Sequence, residues 1–310
     1  MIGLTLKHMR YFAALAAQRH FGRAAEMCMI SQPALSLQIK ELELILGGAL
    51  VERGARQLHL TPLGEDFLRR VQDILLRVDD LEALVRASKD ALAGRLRLGV
   101  IPTVAPYLLP KIVRALDQRF PSLTVQPRES ITQNLIEGLL ASRLDAAIVA
   151  LPVSESSLRE YPLFDEEFYL IRPASEEDLP VPSAVSLEAM RLLLLEEGHC
   201  FRDQALSFCD VSGVTPKQIM EGSSLSTLVQ MVDAGIGATL IPQMALPFET
   251  RSAAVSVARF PPPAPSRTIG MVWRKASPLG EQMMMAGALI RDVAKAETPA
   301  LQPAFESAAQ

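Results

Sequence analysis

A regular apolar repeat lies in the first third of the chain. Apolar side chains recur four and three residues apart, at Phe67, Val71, Ile74, Val78, Leu81 and Val85. This spacing is typical of the seam along which a long helix packs against another helix. Thr61 and Pro62 suit the N-cap and the first position of that helix. The repeat therefore predicts one long helix between a short N-terminal head and a larger body.

The seam of this helix needs a surface to pack against, because apolar side chains are unfavourable in water. Charged residues fill its other faces, at Arg69, Arg70, Asp73, Arg77, Asp79, Asp80 and Glu82. The surface is either the body of the same chain or the matching helix of a second copy. We expect a second copy, and hence a homodimer or a homotetramer.

The body alternates strand and helix patterns and is too long for one ordinary core. Strands are predicted at 95–101, 123–128, 145–151, 167–172, 191–195, 217–220, 238–241 and 267–274. Helices are predicted at 107–120, 133–142, 201–208, 224–233 and 281–294. This alternation favours parallel βαβ units, and the last strand reads as one that returns toward the first group. We expect two α/β lobes over 93–298 and a mobile tail over 299–310.

The head carries the opposite charge to the body. The chain has a net charge of −4, whereas residues 1–61 hold seven Lys and Arg against four acidic residues. The head is therefore +3 and the remainder −7. A small basic head on an acidic body favours an anionic partner for the head.

Three helices are predicted in the head, over 6–18, over 21–27 and from Gln32 onward. Ser31 is placed to cap the third helix, and Pro33 is tolerated in its first turn. The inward face of this helix is apolar, with Leu35, Ile39, Leu42 and Leu46. The opposite face and its N-terminal edge present Ser31, Gln32, Pro33, Ser36, Leu37 and Lys40. Small, amide and basic side chains at the positive end of a helix suit the major groove of DNA.

Residues 50–61 form two short apolar runs around Gly54, which predicts a β-hairpin with Arg53 and Arg56 at its tip. A basic hairpin beside a recognition helix reaches the DNA backbone or the minor groove. The candidate DNA-binding residues are therefore Ser31, Gln32, Pro33, Ser36, Lys40, Arg53 and Arg56.

The head resembles a known DNA-binding module. Residues 20–26, HFGRAAE, and 30–43, ISQPALSLQIKELE, closely resemble the winged helix-turn-helix of LysR-type transcriptional regulators. The resemblance implies a winged helix-turn-helix domain over 1–62 and a linker and dimerisation helix over 63–92. It also implies a two-lobed, periplasmic-binding-protein-like α/β effector domain over 93–298, with the ligand site between the lobes. Double-stranded promoter DNA and RNA polymerase are the implied partners.

Two threonines of the body lie where a predicted strand gives way to a helix, Thr103 and Thr132. Hydroxyl groups beside free backbone N–H groups suit a small polar or anionic ligand. The alternative is that both threonines only cap their helices. Ser223, Ser224 and Ser226 present a parallel and weaker case.

Two of the three cysteines, Cys200 and Cys209, bracket the predicted helix over 201–208. The start of a helix, with His199 and Arg202 nearby, favours the nucleophilic thiolate form of Cys200. Nine helical residues span about 13.5 Å, whereas a disulfide needs Cα atoms about 4.4–6.8 Å apart. A disulfide would therefore require the helix to unwind. Two buried apolar cysteines are the alternative, and the residues are too few and ill-spaced for a zinc site.

The cysteine segment carries a second resemblance. Residues 194–205, LLEEGHCFRDQA, with Phe208 and Cys209, resemble the redox segment of hydrogen-peroxide-sensing LysR-type regulators, as do residues 99–110, GVIPTVAPYLLP. It implies that Cys200 is the peroxidatic thiol and Cys209 the resolving thiol. Thr103, Thr132 and His199 would line the peroxide pocket with Cys200. Cys28, in the head, receives no redox role.

We therefore expect a regulator that senses hydrogen peroxide through a reversible Cys200–Cys209 disulfide and controls oxidative-stress genes, without cofactor or metal. A LysR-type regulator of a small carboxylate metabolite is the main alternative. A thiol peroxidase is a second alternative, which is disfavoured because a dimeric DNA-binding head has no use in catalytic turnover. We therefore expect that the protein is not an enzyme. Few cysteines and the lack of a long uninterrupted apolar run favour a cytoplasmic location without membrane contact.

Overall fold

The computed structural model describes residues 3–52, 58–87, 92–182, 191–210 and 218–297. The chain divides into two compact units, Met1–Val85 and Arg86–Gln310. The division falls inside the segment 63–92 that the sequence predicts as a linker helix. The predicted tail lies outside the described residues.

The head unit begins with three helices, α1 (Leu6–Gln18), α2 (Phe21–Met27) and α3 (Gln32–Leu46). The first two have the predicted bounds. Ser31 caps α3 as predicted, since its Oγ accepts a hydrogen bond from the Ala34 backbone N–H at 3.4 Å. The inward face of α3 is confirmed, because Leu35, Ile39 and Leu42 are fully buried beside Phe12 and Leu15 of α1.

A short hairpin and a long helix complete the head unit. Strand β1 (Val51–Glu52) pairs antiparallel with β2 (His59–Leu60). The tip of this hairpin, with Arg53 and Arg56, lies outside the described residues. Helix α4 (Pro62–Ala87) then begins where the sequence predicts, with Thr61 Oγ1 accepting a hydrogen bond from the Gly64 N–H at 3.0 Å.

The apolar seam of α4 is divided between two environments. Phe67 packs on the core of its own head, with its ring 5.5 Å from that of Phe12, and Val71 is fully buried. Ile74 and Leu81, farther along the seam, are 41% and 63% exposed. The start of the seam therefore packs inside one chain, and only its later part remains uncovered. None of the described helices, α4 included, is long and apolar enough to cross a membrane.

The body unit alternates strands and helices, in the order β3 (Gly94–Val100), α5 (Ala105–Arg119), β4 (Leu123–Glu129), α6 (Thr132–Leu140), β5 (Ala146–Leu151), β6 (Leu158–Pro173), β7 (Arg191–Leu195), α7 (Cys200–Asp210), β8 (Gln218–Gly222), α8 (Leu225–Asp233), β9 (Ala238–Pro242), α9 (Leu246–Glu249), β10 (Val255–Arg259), β11 (Ser266–Arg274) and α10 (Gly280–Glu297). The described strands form one nine-stranded sheet in the order β4-β3-β5-β11-β6-β9-β7-β8, with β10 paired to β6.

Two parallel groups within this sheet confirm the predicted lobes. Strand β3 pairs parallel with β4 and β5 in the first lobe, and β7 pairs parallel with β8 and β9 in the second. Strand β11 returns to the first lobe, as predicted, and pairs antiparallel with β5 there. Ligand sites in such sheets lie at the carboxyl ends of the parallel strands.

Strand β6 joins the two lobes and is much longer than the predicted strand over 167–172. Its first part pairs with β11, and residues 168–173 pair with β9 and β10. Pro162, which lacks a backbone donor, lies opposite Gly270, where the register between β6 and β11 shifts. The first half of this strand was not predicted, because the proline and the interspersed charged residues interrupt the apolar pattern. Strand β10 and helix α9 were not predicted either.

Candidate functional site

The four residues predicted to hold a ligand lie around one recess of the body. The recess has a volume of about 160 Å³ and is lined by Ile101, Pro102, Thr103, Ile131, Thr132, His199, Cys200 and Phe201. The first lobe contributes the loops that follow β3 and β4, and the second contributes the turn that follows β7. The recess therefore lies at the carboxyl ends of parallel strands from both lobes.

Helix capping does not explain the two threonines. The N-caps of α5 and α6 are Val104 and Ile131, and neither helix has a side-chain cap hydrogen bond among the described residues. Ser224 does cap its helix, since its Oγ accepts from the Thr227 N–H at 3.2 Å. The structural explanation therefore holds for the serine but not for Thr103 and Thr132.

Thr103 accepts two hydrogen bonds from a buried arginine. Its side chain is buried, and Oγ1 accepts a hydrogen bond from Arg267 Nη1 at 2.8 Å. Arg267 Nη2 also donates to the Thr103 carbonyl oxygen at 3.2 Å. Because a hydroxyl that accepts a hydrogen bond keeps its own proton, Thr103 remains able to donate to an oxygen in the recess.

Thr132 has an unused hydroxyl group. Its Oγ1 is buried and has no hydrogen-bond partner in the described part of the chain. An unpaired buried hydroxyl costs about 1–3 kcal/mol, so a polar occupant of the recess would relieve that cost. Two hydroxyl groups with unused capacity therefore line the space beside Cys200.

Sequence reasoning missed Arg267 and Glu166. Arg267 is fully buried on β11, and its Nε and Nη2 lie 2.8 and 2.6 Å from Glu166 Oε1 on β6. Its guanidinium carbon lies 5.4 Å from the centre of the Phe201 ring, next to Cys200 in sequence. The two charged residues are direct partners in the β6–β11 register. The sequence shows that each strand contains a charged residue. It does not show that the two residues pair, because the pairing depends on the register between the strands.

His199 and Arg202 do not supply the positive charge that the sequence predicts beside Cys200. Burial lowers the pKa of His199 below its usual 6.5, an effect that Glu196 and Glu129 partly offset. Its imidazole is therefore mostly neutral at pH 7 and can accept a proton. Arg202 is engaged elsewhere, since its Nη1 donates to Glu221 Oε1 at 2.6 Å and to the Leu195 carbonyl at 3.0 Å. A buried cation, Arg267, instead contacts two of the residues that line the recess, Thr103 and Phe201.

The cysteine helix has the predicted form. Cys200 is half-buried, carries a free thiol and is the first residue of α7. Gly198 precedes it at φ +92°, where an added Cβ would also lie only 2.9 Å from Ile131 Cδ1. Cys209 lies in the last turn of α7, and its side chain is outside the part that the structure describes. Since the helix is intact, the two Cα atoms lie about 13.5 Å apart along its axis, too far for a disulfide.

The predicted DNA-reading face of α3 is open to solvent. Ser31, Gln32, Pro33 and Lys40 are exposed, and Ser36 is half-buried. These residues are thus available to a partner of the head, and their role in DNA binding stays a prediction. The role of Arg53 and Arg56 in DNA binding also stays a prediction, since both lie outside the described residues.

Comparison with known proteins identifies the two units. Residues 6–65 match the model of the bacterial regulatory helix-turn-helix proteins of the lysR family, and residues 89–294 match that of the LysR substrate binding domain.

The chain belongs to the LysR family of transcriptional regulators.

Among its relatives in this family, the DNA-binding transcriptional dual regulator OxyR of Escherichia coli K12 is 40% identical over 294 residues, which cover 93% of this chain and 95% of that protein. A probable hydrogen peroxide-inducible genes activator of Mycobacterium avium is 40% identical over 279 residues, or 88% and 89% of the two chains.

Solved structures of LysR-type proteins are similar over nearly the whole chain. A full-length OxyR variant of Pseudomonas aeruginosa has a TM-score of 0.73 at 36% identity and covers 93% of this chain and 95% of its own. A hydrogen-peroxide-bound OxyR mutant of Corynebacterium glutamicum has a TM-score of 0.67 at 32% identity, with coverage of 96% and 94%. The winged helix-turn-helix and the two-lobed α/β effector domain are thus the architecture of this chain.

The arrangement around Thr103 predicts the effect of removing one hydroxyl group. Thr103→Val keeps the side-chain volume but leaves Arg267 Nη1 without its acceptor. We expect the free energy of unfolding of the body to fall by about 1–3 kcal/mol. Thr124→Val, at an exposed position of β4, should change it by less than about 0.5 kcal/mol. Urea unfolding of both variants measures this, and equal stabilities would contradict the assigned contact.

The lowered pKa of His199 predicts a dependence of stability on pH. Below pH 6.5 the unfolded chain takes up a proton at this residue more readily than the folded chain does. Stability should therefore fall as the pH drops through 6.5 and level off below the folded pKa, and this contribution should vanish in His199→Gln. An NMR titration of the imidazole measures the pKa directly. A pKa above 6.5 would refute the assignment.

Proposed function

We propose that this chain is a LysR-type regulator that binds promoter DNA, senses hydrogen peroxide through Cys200 and controls oxidative-stress genes together with RNA polymerase. The relatives described above support it, since they include hydrogen peroxide-inducible genes activators and a peroxide-bound OxyR. The observation that carries the proposal is the unpaired Thr132 hydroxyl in the small recess that also holds Cys200.

The lining of the recess favours peroxide over a carboxylate metabolite. Ile101, Pro102, Ile131 and Phe201 contribute apolar surface, and the hydroxyl groups of Thr103 and Thr132 are uncharged. A carboxylate would bring a negative charge that none of the described side chains lining the recess balances, since the pKa of His199 is lowered and Arg267 is paired with Glu166. A molecule of two oxygen atoms needs only hydrogen bonds, which Thr103 and Thr132 can supply.

The oxidation proceeds in two balanced steps. The Cys200 thiolate attacks one peroxide oxygen, the O–O bond breaks, and the departing hydroxide takes a proton to become water, which leaves a sulfenic acid on Cys200. Hydrogen bonds from Thr103 and Thr132 orient the peroxide for this attack. The Cys209 thiolate then attacks the sulfenic sulfur, the S–O bond breaks as the disulfide forms, and the departing hydroxide takes a proton to become a second water.

The second step requires a change of conformation, because α7 holds the two cysteines apart. The helix must unwind before Cys209 reaches the oxidised sulfur. The disulfide then traps a second packing of residues 199 to 220, which changes the contacts of the second lobe. Such a covalently trapped state is one way in which a local redox event produces a global readout.

The proposal predicts different behaviour for the three cysteines. Cys200→Ser should not respond to peroxide, because the attacking thiolate is gone. Cys209→Ser should form a sulfenic acid at Cys200 but fail to hold the oxidised conformation, and Cys28→Ser should respond like the wild type. Mass spectrometry of the thiols and DNA footprints before and after micromolar peroxide measure both steps. A footprint that still changes in Cys200→Ser would contradict the proposal.

We further propose that the regulator is a homodimer, or a dimer of dimers, joined through the uncovered part of the α4 seam. Two linked heads would place two α3 helices on two half-sites of DNA. The support for this interface is that two apolar side chains of the seam, Ile74 and Leu81, are exposed in the single chain.

The proposed interface predicts the effect of a buried charge. Ile74→Glu should dissociate the dimer, since the carboxylate would be buried without a partner. Gln72→Glu adds the same charge at an exposed position of the same helix and should leave the dimer intact. Sedimentation velocity separates the two outcomes. An intact Ile74→Glu dimer would place the interface elsewhere.

A further inference from the structure

The recognition helix carries an exposed apolar side chain that the predicted DNA contacts leave out. Leu37 is 64% exposed in α3. It lies about 200° around the helix from Leu35, at about 100° per residue, and so points away from the core of the head. Ser36 precedes it, and Lys40 follows one turn later on the same side. Leu37 therefore lies at one edge of the face proposed to enter DNA, next to Pro33 and Lys40.

Two polar side chains of α3 and its cap already have partners within the head. The Ser31 hydroxyl accepts the N–H of Ala34 as the helix cap, and Gln38 Nε2 donates to Glu41 Oε2 at 2.9 Å. The polar groups without such contacts in the described structure are at Gln32, Ser36 and Lys40. A leucine among them offers no hydrogen bond to a base, so its contribution to recognition must be apolar.

The major groove presents one apolar group that a leucine can recognise. This group is the C5-methyl of thymine, since the other base edges there are hydrogen-bond donors and acceptors. Leu37 against guanine, adenine or cytosine would remove those polar edges from water without replacing their hydrogen bonds, which is unfavourable. The side chain therefore favours thymine and opposes the other bases at the same position.

We infer that Leu37 determines sequence specificity by packing on the C5-methyl group of one thymine in each half-site. The inference rests on the proposed DNA-binding function and adds a contact to it. Lys40, one turn away, places a positive charge beside the same groove and favours duplex DNA over a protein as the occupant of this face.

A second exposed leucine provides a matched control. Leu44 is 81% exposed and lies on the same face, two turns farther along α3. Recognition helices contact base edges with their N-terminal residues. Leu44 is therefore equally apolar and accessible, but lies about 10.5 Å farther along the helix axis, beyond the bases.

The test removes a single methyl group from the DNA. Duplexes bound by the full-length protein are first selected from a random-sequence library, and each thymine of the selected site is then replaced in turn by deoxyuridine. We expect one thymine in each half-site at which this replacement weakens wild-type binding about threefold to fivefold, the effect of losing one buried methyl group. Leu37→Ala should bind the thymine and uracil duplexes equally, whereas Leu37→Met and Leu44→Ala should still prefer thymine.

Three outcomes would overturn the inference. One is that deoxyuridine has the same effect on wild type and Leu37→Ala at every thymine. The second is that Leu44→Ala loses the preference for thymine as Leu37→Ala does. The third is that Leu37→Ala leaves DNA binding and its preference for thymine intact but abolishes transcription, which would assign this face to a protein partner. Selection of no sequence by the wild type would instead refute the proposed DNA-binding function itself.

Discussion

A buried guanidinium group determines how the parts of the sensing domain meet. Arg267 contacts Glu166 on the strand that joins the lobes, Thr103 in the first lobe and the ring of Phe201 in the second. Glu166 Oε2 in turn accepts the N–H of Met244, beyond β9. Removing Glu166 would leave the buried guanidinium group without its charged partner, which is strongly unfavourable. Arg267 therefore holds the walls of the recess in place, and with them the surroundings of Cys200.

The conformational change that we propose falls on an element that is bonded less well than the contacts between the lobes. A second bridge links the lobes through Glu249, which accepts hydrogen bonds from Tyr107 and Ser226, each at 2.6 Å. Burial, together with the Glu249 contact, raises the pKa of Tyr107, so this phenol keeps its proton. In contrast, α7 contains a buried amide oxygen on Gln204 that has no partner among the described residues. An unsatisfied group lowers the cost of unwinding that helix relative to the well-bonded lobe contacts.

Local pattern predicted the elements whose burial follows one helix or strand at a time. The bounds of α1 and α2, the Ser31 cap and the inward face of α3 belong to this class. The first half of β6 and the Glu166–Arg267 pair were missed, because both depend on the register between strands far apart in sequence. The seam of α4 was predicted as one surface, but Phe67 packs on its own head, a tertiary contact that periodicity does not encode. The residues of the recess followed from a family resemblance, whereas the unpaired Thr132 hydroxyl required the structure.

In the proposed switch, peroxide converts an intact α7, which separates Cys200 from Cys209, into an unwound segment locked by a disulfide. Hydrogen exchange followed by mass spectrometry on the full-length protein, before and after peroxide, tests this directly. We predict that the backbone amides of α7 lose their protection on oxidation while those of the buried strand β7 keep theirs. Formation of the Cys200–Cys209 disulfide with unchanged protection across α7 would show that the helix does not unwind.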